Sequence, residues 1–291
     1  MKAACSRLSH AAVICFAVLL IGTPITSRSQ LVRSGAGPAT ADITVARDQF
    51  RVDLGGGTIA GANGSFGGLR REINWDGVPA VFSAPNNLPA NFFNSNSPRG
   101  TVFSTPGTGF QVSGATTDAG SGQPAAANFG NIDPSYTTTF ATFSPQRLFT
   151  SLGSNVYDVN FFIPGTSTPA LVAGFGAVFS DVDSPNATSL QFFDASNASL
   201  GTFFVPSSLG SQTFSFLGVS FPTAEVSRVR VTAGNAALGP GILDQNGDLN
   251  DLVVADDFLY SEPIPEPGTT ALITCALGAL LVLNLRRSRR R

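Results

Sequence analysis

From residue 171 to 260 the chain is a succession of short apolar runs, each closed by a turn former. They are LVAGFGAVFSDVD, TSLQFFD, LGTFFVP, TFSFLGVSF, VSRVRVT and LVVADDFLY, with Gly, Pro, Asn and Asp between them. In VSRVRV, Val226, Val229 and Val231 oppose Ser227, Arg228 and Arg230, the near-alternation of a half-buried strand. FDASNASLGTFF reads as a hairpin with residues 194–199 at its turn. No segment carries a helical apolar period over three turns. Many short strands at close spacing predict an all-β fold, an antiparallel β-sandwich or jelly roll over residues 71–263. Residues 30–70, with the glycine-rich LGGGTIAGANGSFGG, read as a flexible lead-in with the first strands. The Pro- and Asn-rich stretch that follows reads as loops covering the sandwich.

Two runs break this pattern. AAVICFAVLLI, residues 11–21, follows Lys2 and Arg7 and is too short to span a bilayer. It predicts the core of a signal peptide, residues 1–29, cut by signal peptidase near residues 27–30, where Ser27 and Ser29 stand. At the other end residues 269–285 carry no charge. At about 1.5 Å per residue they form a helix of roughly 25 Å, enough for a short transmembrane span. Arg286, Arg287, Arg289, Arg290 and Arg291 follow as a basic stop that stays on the cytoplasmic side, which leaves the body of the chain outside. The alternative, a buried C-terminal helix, has no use for such a stop.

Pro265, Glu266 and Pro267, then the apolar run, then the basic terminus, together resemble the PEP-CTERM sorting signal of exported bacterial proteins, here residues 264–291. The resemblance implies recognition by an exosortase, a membrane cysteine protease, followed by loss of the helix. The product is then expected at the cell surface or in the extracellular matrix, where polysaccharide is a partner. Pro263, Pro265 and Pro267 suit the part, because they hold the approach extended and remove backbone donors. Residues 71–263 resemble an uncharacterised family of secreted bacterial proteins through REINWDGVP, NNLPANFFN, SPRGTVFSTPGTGFQVSG, FGAVFSDVD and VVADDFLYSEP. That resemblance implies one coherent domain and no particular activity.

Composition removes several chemistries. The only His, His10, the only Lys, Lys2, and all three Cys, Cys5, Cys15 and Cys275, lie in the two targeting segments. The exported domain therefore has no disulfide, no Ser-His-Asp or Cys-His catalytic arrangement and no His-ligated zinc. Between the targeting segments nine basic residues face eighteen acidic ones. A charge near −9 without a basic patch argues against nucleic acid and anionic lipid as partners. It leaves cations and neutral glycans.

Three candidate chemistries remain. A carboxylate pair for glycoside hydrolysis would have to use Glu72 and Glu225, the only glutamates inside the domain proper. A calcium loop is suggested by DQNGDLNDLVVADD, where Asp244, Asn246, Asp248 and Asn250 recur at a spacing of two. It departs from an EF-hand, since Gly247 falls at position four and Ala255 at position twelve, and Asp181, Asp183, Asp256 and Asp257 are further candidate ligands. The same residues also suit a solvated turn capped by its own side chains. Trp75, between Asn74 and Asp76, reads either as a packing residue or as a platform for a sugar ring. The reading that covers most of the chain is an exported, non-enzymatic component of the exopolysaccharide layer; the alternative is a calcium-dependent carbohydrate-binding module.

Overall fold

Strands that alternate apolar and polar residues need a second layer to cover the apolar side, and here one antiparallel sheet covers another. The computed structural model describes residues 30–61, 64–115, 126–245 and 249–266. Its larger sheet holds eight strands: β1 (Leu31–Gly37), β2 (Ser65–Phe66), β3 (Arg70–Ile73), β5 (Gly109–Val112), β6 (Phe149–Leu152), β9 (Gly174–Ser180), β12 (Phe214–Ser220) and β14 (Val254–Ser261). They run in the order β1-β12-β9-β14-β3-β2, with β6 joined to β14 and β5 joined to β6. The smaller sheet, in the order β11-β10-β13-β7-β4, is built from β4 (Thr101–Ser104), β7 (Val156–Phe161), β10 (Ser189–Phe193), β11 (Ser199–Phe204) and β13 (Arg228–Thr232). A ribbon of two short strands, β8 (Ala170–Leu171) and β15 (Ile264–Pro265), completes the set.

The main core lies between the sheets, where Phe103, Val159 and Val229 meet Phe149, Phe175 and Phe258. β13 shows how the sequence dictates this. Val229 and Val231 are buried, while Arg228 and Arg230 on the other face both reach Asp158 of β7. The expected hairpin joins β10 to β11. At its turn one oxygen of Asp194 accepts from the Ser196 and Ala198 N–H groups at 2.9 and 2.8 Å, the local bonding that makes Asp a turn former. The all-β, two-sheet expectation stands.

The lead-in is different from what the pattern suggests. Residues 30–37 form β1, and Thr40–Asp53 form an α-helix, α1, that packs against β1 and β12 on the outer face of the larger sheet. Its buried stripe is Ile43, Ala46, Phe50 and Leu54, a helical spacing of three and four, packed with Val178, Phe216 and Leu259. Val45, 79 % exposed, and Val52, 42 % exposed, blur that stripe in the sequence. Space for the Phe50 ring comes from two glycines: a Cβ on Gly218 would stand 2.6 Å from it, and one on Gly176 2.8 Å. The glycine-rich loop that follows is wrapped around Arg70. This side chain has no exposed surface and donates to the carbonyls of Arg51, Gly55 and Ile59.

Trp75 is a core residue, and the sugar-platform reading is corrected. It is 1 % exposed, stacks on Phe149 with ring centroids 4.2 Å apart, and meets Phe93 and Phe258 edge-on. Its indole N–H donates to the Asp256 carbonyl at 2.5 Å. No ring face is left for a ligand.

Among the described residues no helix is long and apolar enough to cross a membrane. The predicted signal core, residues 269–285, Pro267 and the five terminal arginines all lie outside them. Of the sorting motif, Pro265 is exposed and extended in β15, and Glu266 follows it, half-buried.

Candidate metal centre

β9 is buried along its whole length, and the residues that continue it inherit that burial. Asp181, Val182 and Asp183 follow Ser180 directly. Between the two acids Val182 packs into the core, and both aspartates are buried with it at the end of the strand. Asp181 takes a left-handed backbone, φ 71°, a conformation that Asp tolerates better than most residues. Asp244 arrives from the strap between β13 and β14. Tyr136 positions that strap: its hydroxyl bonds the carbonyls of Gly239 and Ile242 at 2.9 and 2.7 Å and accepts the Gly239 N–H at 3.1 Å. Asp133 adds a bond from the Gly241 N–H at 2.9 Å. Carboxylate oxygens of Asp181, Asp183 and Asp244 consequently lie within 4.8 Å of one another.

A fourth acid braces the group. β14 pairs with β9 with Val254 opposite Ser180, and Asp251, three residues before Val254, lies beside the residues that follow β9. The two oxygens of Asp251 accept the Asp183 and Ser184 N–H groups, each at 3.1 Å. Asp183 in turn accepts the Gly210 N–H at 2.8 Å with one oxygen, and its other oxygen has no hydrogen-bond partner among the described residues. Asp181 is more isolated still. It has no exposed surface, and neither carboxylate oxygen has a partner among the described residues.

The electrostatics follow. Burial pushes the Asp181 carboxyl up to about 9, and the charges of Asp244, Asp183 and Asp251 push in the same direction. The nearby Gln212 N–H offsets little of this, because it donates to the Thr139 carbonyl at 2.7 Å. Burial likewise raises Asp251, to about 6, against its two backbone donors. Without a counter-charge such a group retains a proton; with one, it offers a set of oxygen ligands. Neither histidine nor cysteine contributes, so the donor set is that of a hard cation.

The structure thus brings together Asp181, Asp183 and Asp244 of the predicted calcium ligands. Asn246 and Asp248 lie outside the described residues. Asn250 turns back on its own strap and donates to the Leu243 carbonyl. Asp256 and Asp257 are corrected: they sit in a bulge of β14 between Ala255 and Phe258. From Val254 the register carries them along β9 away from Asp181. Asp256 accepts from Phe143 N–H and the Ser144 hydroxyl at 2.6 and 3.0 Å, and Asp257 accepts from the same hydroxyl at 2.8 Å. Asp251 escaped the sequence reading because its role depends on pairing between residues far apart in the chain; its place just before the run VVADDF was the one available signal.

A second concavity, a polar cleft of about 570 Å³, is lined by Arg47, Arg51, Glu72, Asn74, Asp76 and Asp257 among others. Glu72 is held there by Arg51 at 3.0 and 2.7 Å and by Arg70 at 2.9 Å. Burial raises the Asp76 carboxyl, which accepts the Gln146 N–H. Glu225 does not line this cleft; it stands between β12 and β13, with its N–H directed to the Val172 carbonyl. The Glu72–Glu225 pair is therefore not assembled.

No family model matches the chain, and no curated protein does. Two solved structures are similar over part of it. One is a glycoside hydrolase family 43 arabinoxylan arabinofuranohydrolase from Bacillus subtilis in complex with cellotetraose, at 16% identity and TM-score 0.27, covering 57% of this chain and 27% of that one. The other is the enzymatically active domain of tailspike protein 4 of bacteriophage CBA120, at 11% identity and TM-score 0.27, covering 60% and 20%. This chain matches about a quarter and a fifth of their lengths, and so loose a likeness carries no argument about activity.

Proposed function

We propose that this is an exported, non-enzymatic protein of the cell envelope or extracellular matrix, sorted through its PEP-CTERM tail and serving as a structural or adhesive part of the exopolysaccharide layer. The observation that supports this reading is the way the domain ends. β14, in the interior of the larger sheet, leads through Glu262 to Pro265, which is exposed and extended in the two-residue strand β15. An extended, donor-poor segment at the surface is the form in which a protease reads its substrate. The Glu72 carboxylate is held between two guanidinium groups and Glu225 stands elsewhere, so these two glutamates are not placed as a pair. Expression in a host with an exosortase should give a mature species shortened at both ends and found at the cell surface. Replacing Pro265 and Glu266 by Ala should leave the C-terminal helix attached. Equal processing of both forms would overturn the sorting assignment.

A calcium-dependent carbohydrate-binding module is the second reading, favoured by the acidic cluster on β9 and the strap. Binding to a polysaccharide array that disappears in EDTA would select it over a purely structural role.

A further inference from the structure

We infer that Asp181, Asp183 and Asp244 bind one Ca²⁺, and that this ion is a clasp holding the strap of residues 235–245 against the end of β9. The inference names the cation of the second reading but needs no glycan and no sorting tail, so each can fail alone.

Three observations carry it. The first is geometric: oxygens from three carboxylates converge within 4.8 Å. Ligands around Ca²⁺ sit at about 2.3–2.6 Å from the ion, so oxygens on opposite sides stand up to about 5 Å apart; the shorter bonds of Mg²⁺, about 2.0–2.1 Å, demand a tighter cage. The second is the state of Asp181. A fully buried carboxyl whose two oxygens have no partner among the described residues is aimed at the other two acids. Buried polar groups are almost always satisfied, and this one, like the second oxygen of Asp183, is left for something the described residues do not supply. The third is the origin of the ligands. Two come from one buried strand end and the third from an irregular strap whose other bonds, to Tyr136, Asp133 and the Leu252 N–H, run to different elements, so the ion would join the strap to the end of β9 directly.

The consequence for the strap is direct. Leu238 is its anchor in a small core with Phe129, Tyr136 and Phe140, while Ile242 and Leu243 are exposed. Without a cation, carboxyl groups crowded at its far end oppose docking by mutual repulsion and desolvation. With a divalent ion they draw it down. On the export reading proposed above, the affinity expected is about 10⁻⁴–10⁻³ M, so the clasp would close where calcium is millimolar.

The test uses the full chain in detergent, stripped with EDTA. Calcium alone is titrated by calorimetry, with magnesium as the comparison, and hydrogen exchange is followed at the Gly239 and Gly241 amides. One Ca²⁺ per chain is expected, bound more tightly than Mg²⁺. At about ten times Kd, exchange at both amides should slow about tenfold. Asp244→Asn and Asp183→Asn should each lose the calcium response; near-UV circular dichroism confirms that each is folded, and either folded variant suffices. Asp194→Asn, altered at a hairpin turn, should respond like the parent. Calcium binding with unchanged exchange would overturn the clasp while leaving the calcium site. A folded parent chain that binds no calcium would overturn both, and so would folded Asp244→Asn and Asp183→Asn variants that still bind it.

Discussion

Two buried carboxylates in this molecule are treated in opposite ways. Glu72, 7 % exposed, accepts three hydrogen bonds from Arg51 and Arg70, so its counter-charge is built into the chain. Asp181, with no exposed surface, has no such partner among the described residues and stands beside other acids. The first arrangement is compensated from within the chain. Arg70, itself wholly buried, fills the glycine-rich loop and satisfies its carbonyls. The second is complete only when a proton or a cation arrives. Burial alone therefore does not mark a functional acid; burial without compensation does.

The contrast can be broken at its stronger end first. Arg70→Met should destabilise the domain by about 3–5 kcal/mol, since it leaves Glu72 half-compensated and three carbonyls without their donor; denaturant unfolding measures it. Asp181→Asn should act with the opposite sign. In EDTA at neutral pH it should stabilise by about 1–3 kcal/mol, because Asn fits the left-handed backbone and, unlike the carboxyl, need not take up a proton to be buried. A loss of stability comparable to that of Arg70→Met would remove the distinction between the two sites.

A pH series sharpens the same comparison at a third acid. Asp256 is buried beside Asp257, and both burial and that neighbour hold its carboxyl well above the usual value of 3.8. A raised carboxyl pKa contributes stability that is fully present below 3.8 and is lost as pH rises through the folded value. Melting temperature should fall over that window in the parent, and Asp256→Asn should flatten the slope. The smallest effect belongs to Asp158, on the outer face of the smaller sheet with Arg228 and Arg230, the latter 45 % exposed. Asp158→Asn should cost no more than about 1 kcal/mol in the same unfolding assay.

How much of this was legible follows from the range over which each feature is encoded. The β10–β11 hairpin and the alternation of β13 rest on neighbours in the chain, and both are plain in FDASN and VSRVRV. Asp181 and Asp183 were recognisable as candidate ligands because two acids stand close together in FSDVD. Asp251 was not, because only the meeting of β14 with the end of β9 brings its carboxylate to the Asp183 and Ser184 N–H groups. That same pairing removes Asp256 and Asp257 from the cluster. α1 was hidden by Val45 and Val52, which interrupt an otherwise regular stripe. Trp75 had polar neighbours on both sides, yet φ of 66° turns the chain there and the ring lies within the aromatic core.

The segment that follows β14 is firmly held. Glu262 is forked by Arg71 at 2.7–3.0 Å, and Ile264–Pro265 is stitched to Ala170–Leu171. A pull applied at Glu266 therefore meets no slack tether. It is passed at once into β14, which is braced on both flanks by β9 and β3. Because strands loaded along their length must shear many backbone bonds together, the body would resist such a pull as a rigid block.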